Sequence, residues 1–168
     1  MRYNKIRKMD IADGEGIRVS IFVQGCTFNC IGCFNPETHD FNDGKEFTQE
    51  TLSTLMELCN NINIKGLSIL GGEPLHSKNV STVLEIAKKF KELYPNKDLW
   101  LWTGFQFEDI LKDINKKSVI EYCDFIIDGR FIETKKDLRL KWAGSTNQRF
   151  IDVQKSLKEN KIIILENY

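Results

Sequence analysis

The sequence predicts an α/β protein whose mostly parallel sheet closes only part of a barrel. Three observations carry this. Apolar runs of strand length alternate at least three times with segments whose apolar residues recur at three- and four-residue steps, the pattern of parallel strands joined by crossover helices. The strand-like runs end in glycine or a small polar residue, at 71–72, 103–104 and 128–129. Finally, 168 residues are too few for eight strand–helix units, so the (β/α) barrel is open and incomplete.

In order, residues 1–16 read as short, polar and ending in Asp13-Gly14-Glu15-Gly16, where two glycines round an acid favour a tight turn. Residues 17–24 are the first strand, a mostly apolar run suited to burial in a parallel sheet. A loop follows as far as Lys45. It carries three cysteines, then Asn35-Pro36 and His39, and is long enough to wrap a cofactor. Residues 48–61 are helical, with Thr48 as N-cap and Leu52, Leu55, Met56, Cys59 and Ile62 on one face. Residues 66–71 form the second strand and run into Gly72-Glu73-Pro74. Residues 79–94 make the second helix, with Val80, Val83, Leu84, Ala87, Phe90 and Tyr94 on one side and Pro95 ending it. Residues 99–103 are the third strand, whose two tryptophans read as core. Phe107, Ile110, Leu111 and Ile114 mark a short third helix, and 123–128 the fourth strand. Residues 133–149 are polar and basic, a solvated surface or the lining of a mouth that receives a protein substrate; 150–153 and 161–165 read as two last strands.

The whole reads as one domain, 1–168. With 24 basic and 24 acidic residues there is no charged stripe for nucleic acid. No apolar signal region or membrane-spanning run is present. A soluble cytoplasmic protein is expected, in a reducing compartment that keeps thiols free for metal.

The chemistry gathers at Cys26, Cys30 and Cys33, spaced C-x3-C-x2-C, with no fourth protein ligand at a similar interval. Three thiolates can hold three corners of a 4Fe–4S cluster and leave one iron open. Zinc in a Cys3His set with His39 is the rival, although zinc sites more often show two separated ligand pairs. A disulfide framework is disfavoured by the odd count of five cysteines. Cys59 lies on an apolar helical stripe and, like Cys123, reads as a structural thiol. Gly71 and Gly72 let backbone approach a ligand closely. Glu73 offers a carboxylate suited to an ammonium group, and Thr103 a polar contact. Cys26, Glu73, Thr103 and Asp128 each fall at or just past a strand's end, so four segments converge on the rim where such sheets bind ligands.

The cysteine spacing after the first strand resembles the radical S-adenosylmethionine enzymes. Asp13-Gly14-Glu15-Gly16-Ile17-Arg18, Gly25-Cys26, Gly32-Cys33-Phe34-Asn35, Gly71-Gly72-Glu73-Pro74, Trp102-Thr103-Gly104, Asp128-Gly129 and Gly144-Ser145-Thr146-Asn147-Gln148 occur in order. Together they are similar to the glycyl-radical-enzyme activases that act on anaerobic ribonucleoside-triphosphate reductase. The resemblance implies a radical SAM fold, a 4Fe–4S cluster on the three cysteines, and S-adenosyl-L-methionine chelating the open iron. It implies reductive cleavage to methionine and a 5'-deoxyadenosyl radical, which takes a hydrogen atom from a backbone glycine of the partner reductase. It also implies a low-potential electron donor such as flavodoxin. The cofactors carry the hard step, so no side chain is assigned as a general base. Cofactor contacts are then expected at Gly32, Cys33, Phe34, Gly71, Gly72, Glu73, Thr103 and Asp128. Glu73 would lie near the amino group of the methionine moiety; Asp128 would face the ribose hydroxyls or hold Arg130. In many members an aromatic residue precedes the third cysteine; here that position is Gly32, and Phe34 follows instead. An activase of another glycyl-radical enzyme, a radical enzyme for a small molecule and a zinc-stabilised, non-catalytic binding module remain as alternatives.

Overall fold

The computed structural model describes residues 1–165. Its strands are β1 (Arg2–Asp10), β2 (Arg18–Val23), β3 (Lys45–Glu46), β4 (Gly66–Gly71), β5 (Asp98–Trp102), β6 (Phe125–Asp128) and β7 (Arg149–Asp152). The helices are α1 (Gln49–Cys59), α2 (Val80–Leu93), α3 (Phe107–Ile110), α4 (Ile114–Ile120) and α5 (Val153–Glu159). The strands form one open sheet in the order β3-β1-β2-β4-β5-β6-β7. β2, β4, β5 and β6 run parallel; β1, β3 and β7 are added antiparallel at the flanks. The sheet is therefore mixed, and parallel only through its middle.

The parallel order advances in one direction, so right-handed crossovers put the connecting helices on one face. That face holds the main core: Val19, Ile21, Leu67, Ile69, Leu99, Leu101 and Ile126 of the sheet meet Leu55, Val83, Phe90, Ile110 and Val119 of the helices. Helix α1 starts where the sequence places it. The Thr48 hydroxyl accepts from the Thr51 amide, and the Thr51 hydroxyl accepts from the Thr48 amide, which satisfies two otherwise orphaned donors. The helix stops at Cys59, so Ile62 does not join its apolar stripe and is 94% exposed. Cys59 and Cys123 are fully buried, as expected of structural thiols.

Two strand assignments need correction. Residues 2–10 are not a polar lead-in to a turn but a nine-residue strand paired with β2. Its sequence hides this because charged side chains do the covering: Lys5 Nζ and Arg7 Cζ each lie 4.7 Å from the centre of the Phe22 ring, cations set over the ring's negative face. Residues 161–165 make only an isolated bridge, Ile164 to Ile151, after α5.

The other face of the sheet is aromatic. Trp100, Ile127 and Phe150 are covered by Ala143, Leu140 and Trp142 from the segment after β6. The Trp100 and Trp142 rings meet edge to face at 4.8 Å, and Trp102 Nε1 donates to the Trp142 carbonyl at 2.8 Å. At the amino ends of the strands, Arg18 is fully buried. It is paired with Asp98 at 2.5 Å and donates to Ser68 Oγ at 2.7 Å and the Leu67 carbonyl at 3.0 Å. The carboxyl ends are thus left for a ligand.

Candidate functional site

The cysteine loop leaves the end of β2 and is tied at its base. The Gly25 amide donates to Thr38 O at 2.7 Å and the Cys26 amide to His39 O at 3.0 Å. Gln24 Nε2 donates to the carbonyls of Glu37 and Asp40, both at 2.9 Å. Within the loop the Cys33 amide donates to Cys30 O at 3.1 Å, and the Asn35 amide lies 3.4 Å from Cys33 Sγ. All three cysteines are free and half-buried. Burial pushes the Cys26 thiol up to about 11, and the Cys33 thiol is also raised.

β4 brings the second wall. Gly71 sits at φ +105, and an added Cβ would lie 2.8 Å from the Phe22 Cα, so only glycine lets the chain turn here against β2. The Gly72 amide donates to Val23 O and the Glu73 amide to Gly25 O, each at 2.9 Å, which locks the two strand ends together. Asn79 Nδ2 donates to Gln24 O at 3.1 Å and Glu73 O at 3.0 Å.

Glu73 is 1% exposed. Its Oε1 accepts from the Leu75 amide at 2.9 Å and the Thr103 hydroxyl at 2.6 Å; its Oε2 accepts from the Gly104 amide at 2.8 Å. Burial pushes its carboxyl up to about 7, against those three hydrogen bonds, which favour the ionised form.

Cys26, Cys30 and Cys33 open on one cavity of about 480 Å³, together with Phe34, Gly71, Gly72, Glu73, Thr103 and His39. The site residues expected from the sequence therefore line one cavity, with two exceptions. Gly32 lies off the cavity, where the Glu133 side chain packs against it. Asp128 is fully buried and its carboxylate holds Arg149, not Arg130: Arg149 Nε donates to Oδ1 at 2.9 Å, Arg149 Nη2 donates to Oδ2, and the Phe107 amide donates to Oδ2 at 2.7 Å. Thr103 reaches the cavity, but its hydroxyl serves Glu73.

The structure adds groups that sequence reasoning missed. Arg7, Ala12 and Asp13 form part of the cavity wall. Arg7 Nη1 lies 3.2 Å from both Asp10 Oδ2 and Asp13 Oδ2. The resemblance to the activases already implies that the Asp13 loop lies close to the mouth; Arg7 is the addition, because the strand that carries it reads as a polar lead-in. Arg130 lies over the Phe28 ring at 4.3 Å, and both line the cavity.

Among the described residues, no three His, Cys, Asp or Glu side chains gather round a point that one metal ion would fill. A polynuclear cluster makes a different demand, one thiolate to each of several irons. Three free thiols lining one cavity fit that demand.

A model of the 4Fe-4S single cluster domain matches residues 12–151, a span that contains the whole cysteine loop and the strand ends facing it. The chain is thus of the class of single-cluster iron–sulfur proteins. Its relatives are more specific. It is 37% identical over 150 residues to the anaerobic ribonucleoside-triphosphate reductase-activating protein of Vibrio cholerae, covering 88% of this chain and 96% of the relative. The protein of that name from Escherichia coli K12 is 35% identical over the same shares. That of Enterobacteria phage T4 is 38% identical over 149 residues, 89% of this chain and 92% of the relative. The chain belongs to the family of anaerobic ribonucleoside-triphosphate reductase-activating proteins.

Proposed function

We propose that this chain is a radical S-adenosylmethionine activase, a single domain built on an incomplete barrel, that installs a glycyl radical on anaerobic ribonucleoside-triphosphate reductase. The observation that carries this is the shared cavity: three free thiols, a buried carboxylate and the glycines at the end of β4 line one space. The relatives' names give the partner, and the family model supports the iron–sulfur cluster. Cys26, Cys30 and Cys33 would hold that cluster. When bound, it and S-adenosylmethionine supply one electron and a 5'-deoxyadenosyl radical, which takes a hydrogen atom from a backbone glycine of the reductase.

The protein's own part is to bind and orient. Glu73 receives the ammonium group. Among the described residues its Oε2 accepts only the Gly104 amide, so a lone pair remains for a charge-assisted hydrogen bond. Burial keeps its carboxyl near neutrality until a cation arrives and favours the ionised form. Gly71 and Gly72 give the ligand close access to backbone. Thr103 acts through Glu73, and Asp128 acts through Arg149 to fix the turn at Gly129. Phe34 flanks the cavity; Gly32 lets the loop pack on Glu133. The reaction takes place in the cytoplasm with a low-potential donor such as flavodoxin.

The test is anaerobic purification followed by mixing with the reductase. Roughly four irons and four sulfides per chain and a glycyl doublet in the electron paramagnetic resonance spectrum are expected. A colourless protein with stoichiometric zinc that resists reconstitution would sink the proposal.

A further inference from the structure

We infer that the segment 130–141 is the docking surface for an acidic stretch of the partner polypeptide that carries an apolar side chain. This rests on the reading above that the substrate is another protein. The chain as a whole is neutral, yet these twelve residues hold Arg130, Lys135, Lys136, Arg139 and Lys141 against only Glu133 and Asp137. Asp137 is already taken, by Arg139 Nε at 2.9 Å and Nη2 at 2.7 Å. Arg130, Lys135, Lys136 and Lys141 form no ion pair among the described residues. Three of them lie over rings instead: Arg130 over Phe28, Lys136 over Phe34 at 5.1 Å and Lys141 over Trp142 at 5.8 Å. In their midst Leu138 is 79% exposed.

The surface is built in advance. The Lys135 amide donates to Ile132 O at 2.9 Å, the Thr146 amide to Lys135 O at 2.9 Å and the Asp137 amide to Gly144 O at 3.2 Å, and Lys136 bridges Ser145. A partner seating here therefore has little backbone to order, which lowers the cost of association. The location is also right. Arg130, Leu138 and Lys141 border the same cavity as the three cysteines, so a polypeptide held by the segment lies at the mouth through which its glycine must enter. Unpaired cations round an exposed leucine match acidic residues round an apolar one, and unpaired cations speed the encounter of opposite charges. A nucleic acid would use the cations but leave Leu138 uncovered.

The experiment measures binding of purified anaerobic ribonucleoside-triphosphate reductase to the anaerobically reconstituted protein. S-adenosylmethionine cleavage with dithionite, in the absence of reductase, is followed alongside. The variants are Lys135→Glu and Lys135→Glu with Leu138→Asp, both at exposed positions. Reductase affinity should fall roughly tenfold or more in the double variant and by less in the single one, and wild-type binding should weaken as salt rises. The melting temperature should be unchanged in both, and cleavage without reductase should be unchanged in Lys135→Glu, which lies off the cavity. Retention of wild-type affinity by both variants overturns the inference. So does an oligonucleotide that binds the wild type and is lost from the double variant while the reductase still binds. A wild type that binds the reductase through these residues but does not cleave S-adenosylmethionine overturns the radical reading and leaves the docking surface standing.

Discussion

The Thr103 hydroxyl, just past the end of β5, donates a 2.6 Å hydrogen bond to Oε1 of Glu73, just past the end of β4. Two neighbouring parallel strands thus end in one buried polar pair. Among the described residues, each of the three hydrogen bonds to the carboxylate comes from a donor, the Leu75 amide, the Thr103 hydroxyl and the Gly104 amide. Glu73→Gln would turn an amide N–H₂ either toward the Gly104 amide, donor against donor, or toward the Leu75 amide and Thr103. Leaving a buried donor unpaired costs about 1–3 kcal/mol. The charge-assisted bond to an ammonium ligand is lost as well. Equilibrium binding should show S-adenosylmethionine affinity reduced at least about tenfold. Thr103→Val should cost less, because two backbone donors still hold the carboxylate. Wild-type affinity in Glu73→Gln would remove Glu73 from the binding site.

Alanine at Cys26, Cys30 or Cys33 should abolish cluster assembly, as read by iron content and the visible spectrum. Cys59→Ala and Cys123→Ala should leave the cluster intact. Both thiols are buried in the main core, so deleting one sulfur should lower stability by about 1 kcal/mol, the scale for a small buried truncation. A cluster that survives the loss of Cys30, or fails with the loss of Cys59, reverses the ligand assignment.

Much of this was legible in the sequence because periodicity and strand-end chemistry are local signals. Leu52, Leu55, Met56 and Cys59 mark one helix face, and Gly71-Gly72-Glu73 marks a strand running into a turn. β1 was illegible for a physical reason: its cover on Phe22 comes from the charged ends of Lys5 and Arg7, set over the ring, and in a sequence these read as solvated charges. The partner of Asp128 was illegible for another. Arg149 lies 21 residues later and reaches it through the antiparallel β6–β7 register, and no spacing rule announces such a pair. Thr103 stands at the rim where the sequence puts it, and the bond from its hydroxyl to the buried Glu73 carboxylate, 30 residues away, is one that no local signal announces.

Asp13 and Asp10 should give stability a pH dependence with a definite sign. Burial pushes Asp13 up to about 7, helped by the hydrogen bond and charge of Asp10; Arg7 and Lys5 oppose the shift. Burial opposes ionisation of Asp10 too, but hydrogen bonds from Asp13, Ala12 and Arg7 hold it at about 2. The folded pair therefore keeps one proton up to about pH 7, while both carboxyls of the unfolded chain lose theirs near pH 4. The folded state binds more protons between those values, so this site's stabilisation is largest near pH 4 and is lost as pH rises to 7. Asp13→Asn removes the titration. The gap in melting temperature between wild type and variant should narrow, on the order of 5 °C, from pH 4.5 to 7.5. A gap that does not change with pH counts against a shared proton.

Arg149 should matter more to stability than its exposed partner does. It neutralises Asp128, which is fully buried, and also meets Glu108 at 2.7 Å and 2.9 Å. Arg149→Ala strands a buried carboxylate, a loss of about 3–5 kcal/mol. The Glu108 side chain is 47% exposed, so Glu108→Ala should cost under about 1 kcal/mol. Chemical denaturation of the two variants gives the comparison. Equal losses would mean that Asp128 finds water or another donor when Arg149 is gone.

Gly144 and Phe34 should behave as one unit. A Cβ at Gly144 would lie 2.5 Å from Phe34 Cε2 and 3.0 Å from Phe131 Cδ2, and the two phenylalanine rings already meet at 5.1 Å. Gly144→Ala therefore forces Phe34 off its seat, an overpacking cost of about 1–3 kcal/mol. Phe34 directly follows Cys33, so the strain falls on the cysteine loop and should show as faster loss of iron to a chelator. Phe34→Leu alone leaves a gap, and the same change beside Gly144→Ala makes the room that the new methyl needs. The double variant should thus be more stable than the sum of the single losses, by about 0.5–3 kcal/mol for residues in contact. Additive losses, with chelation rates unchanged in Gly144→Ala, would show that the loop and the 130–149 segment move independently.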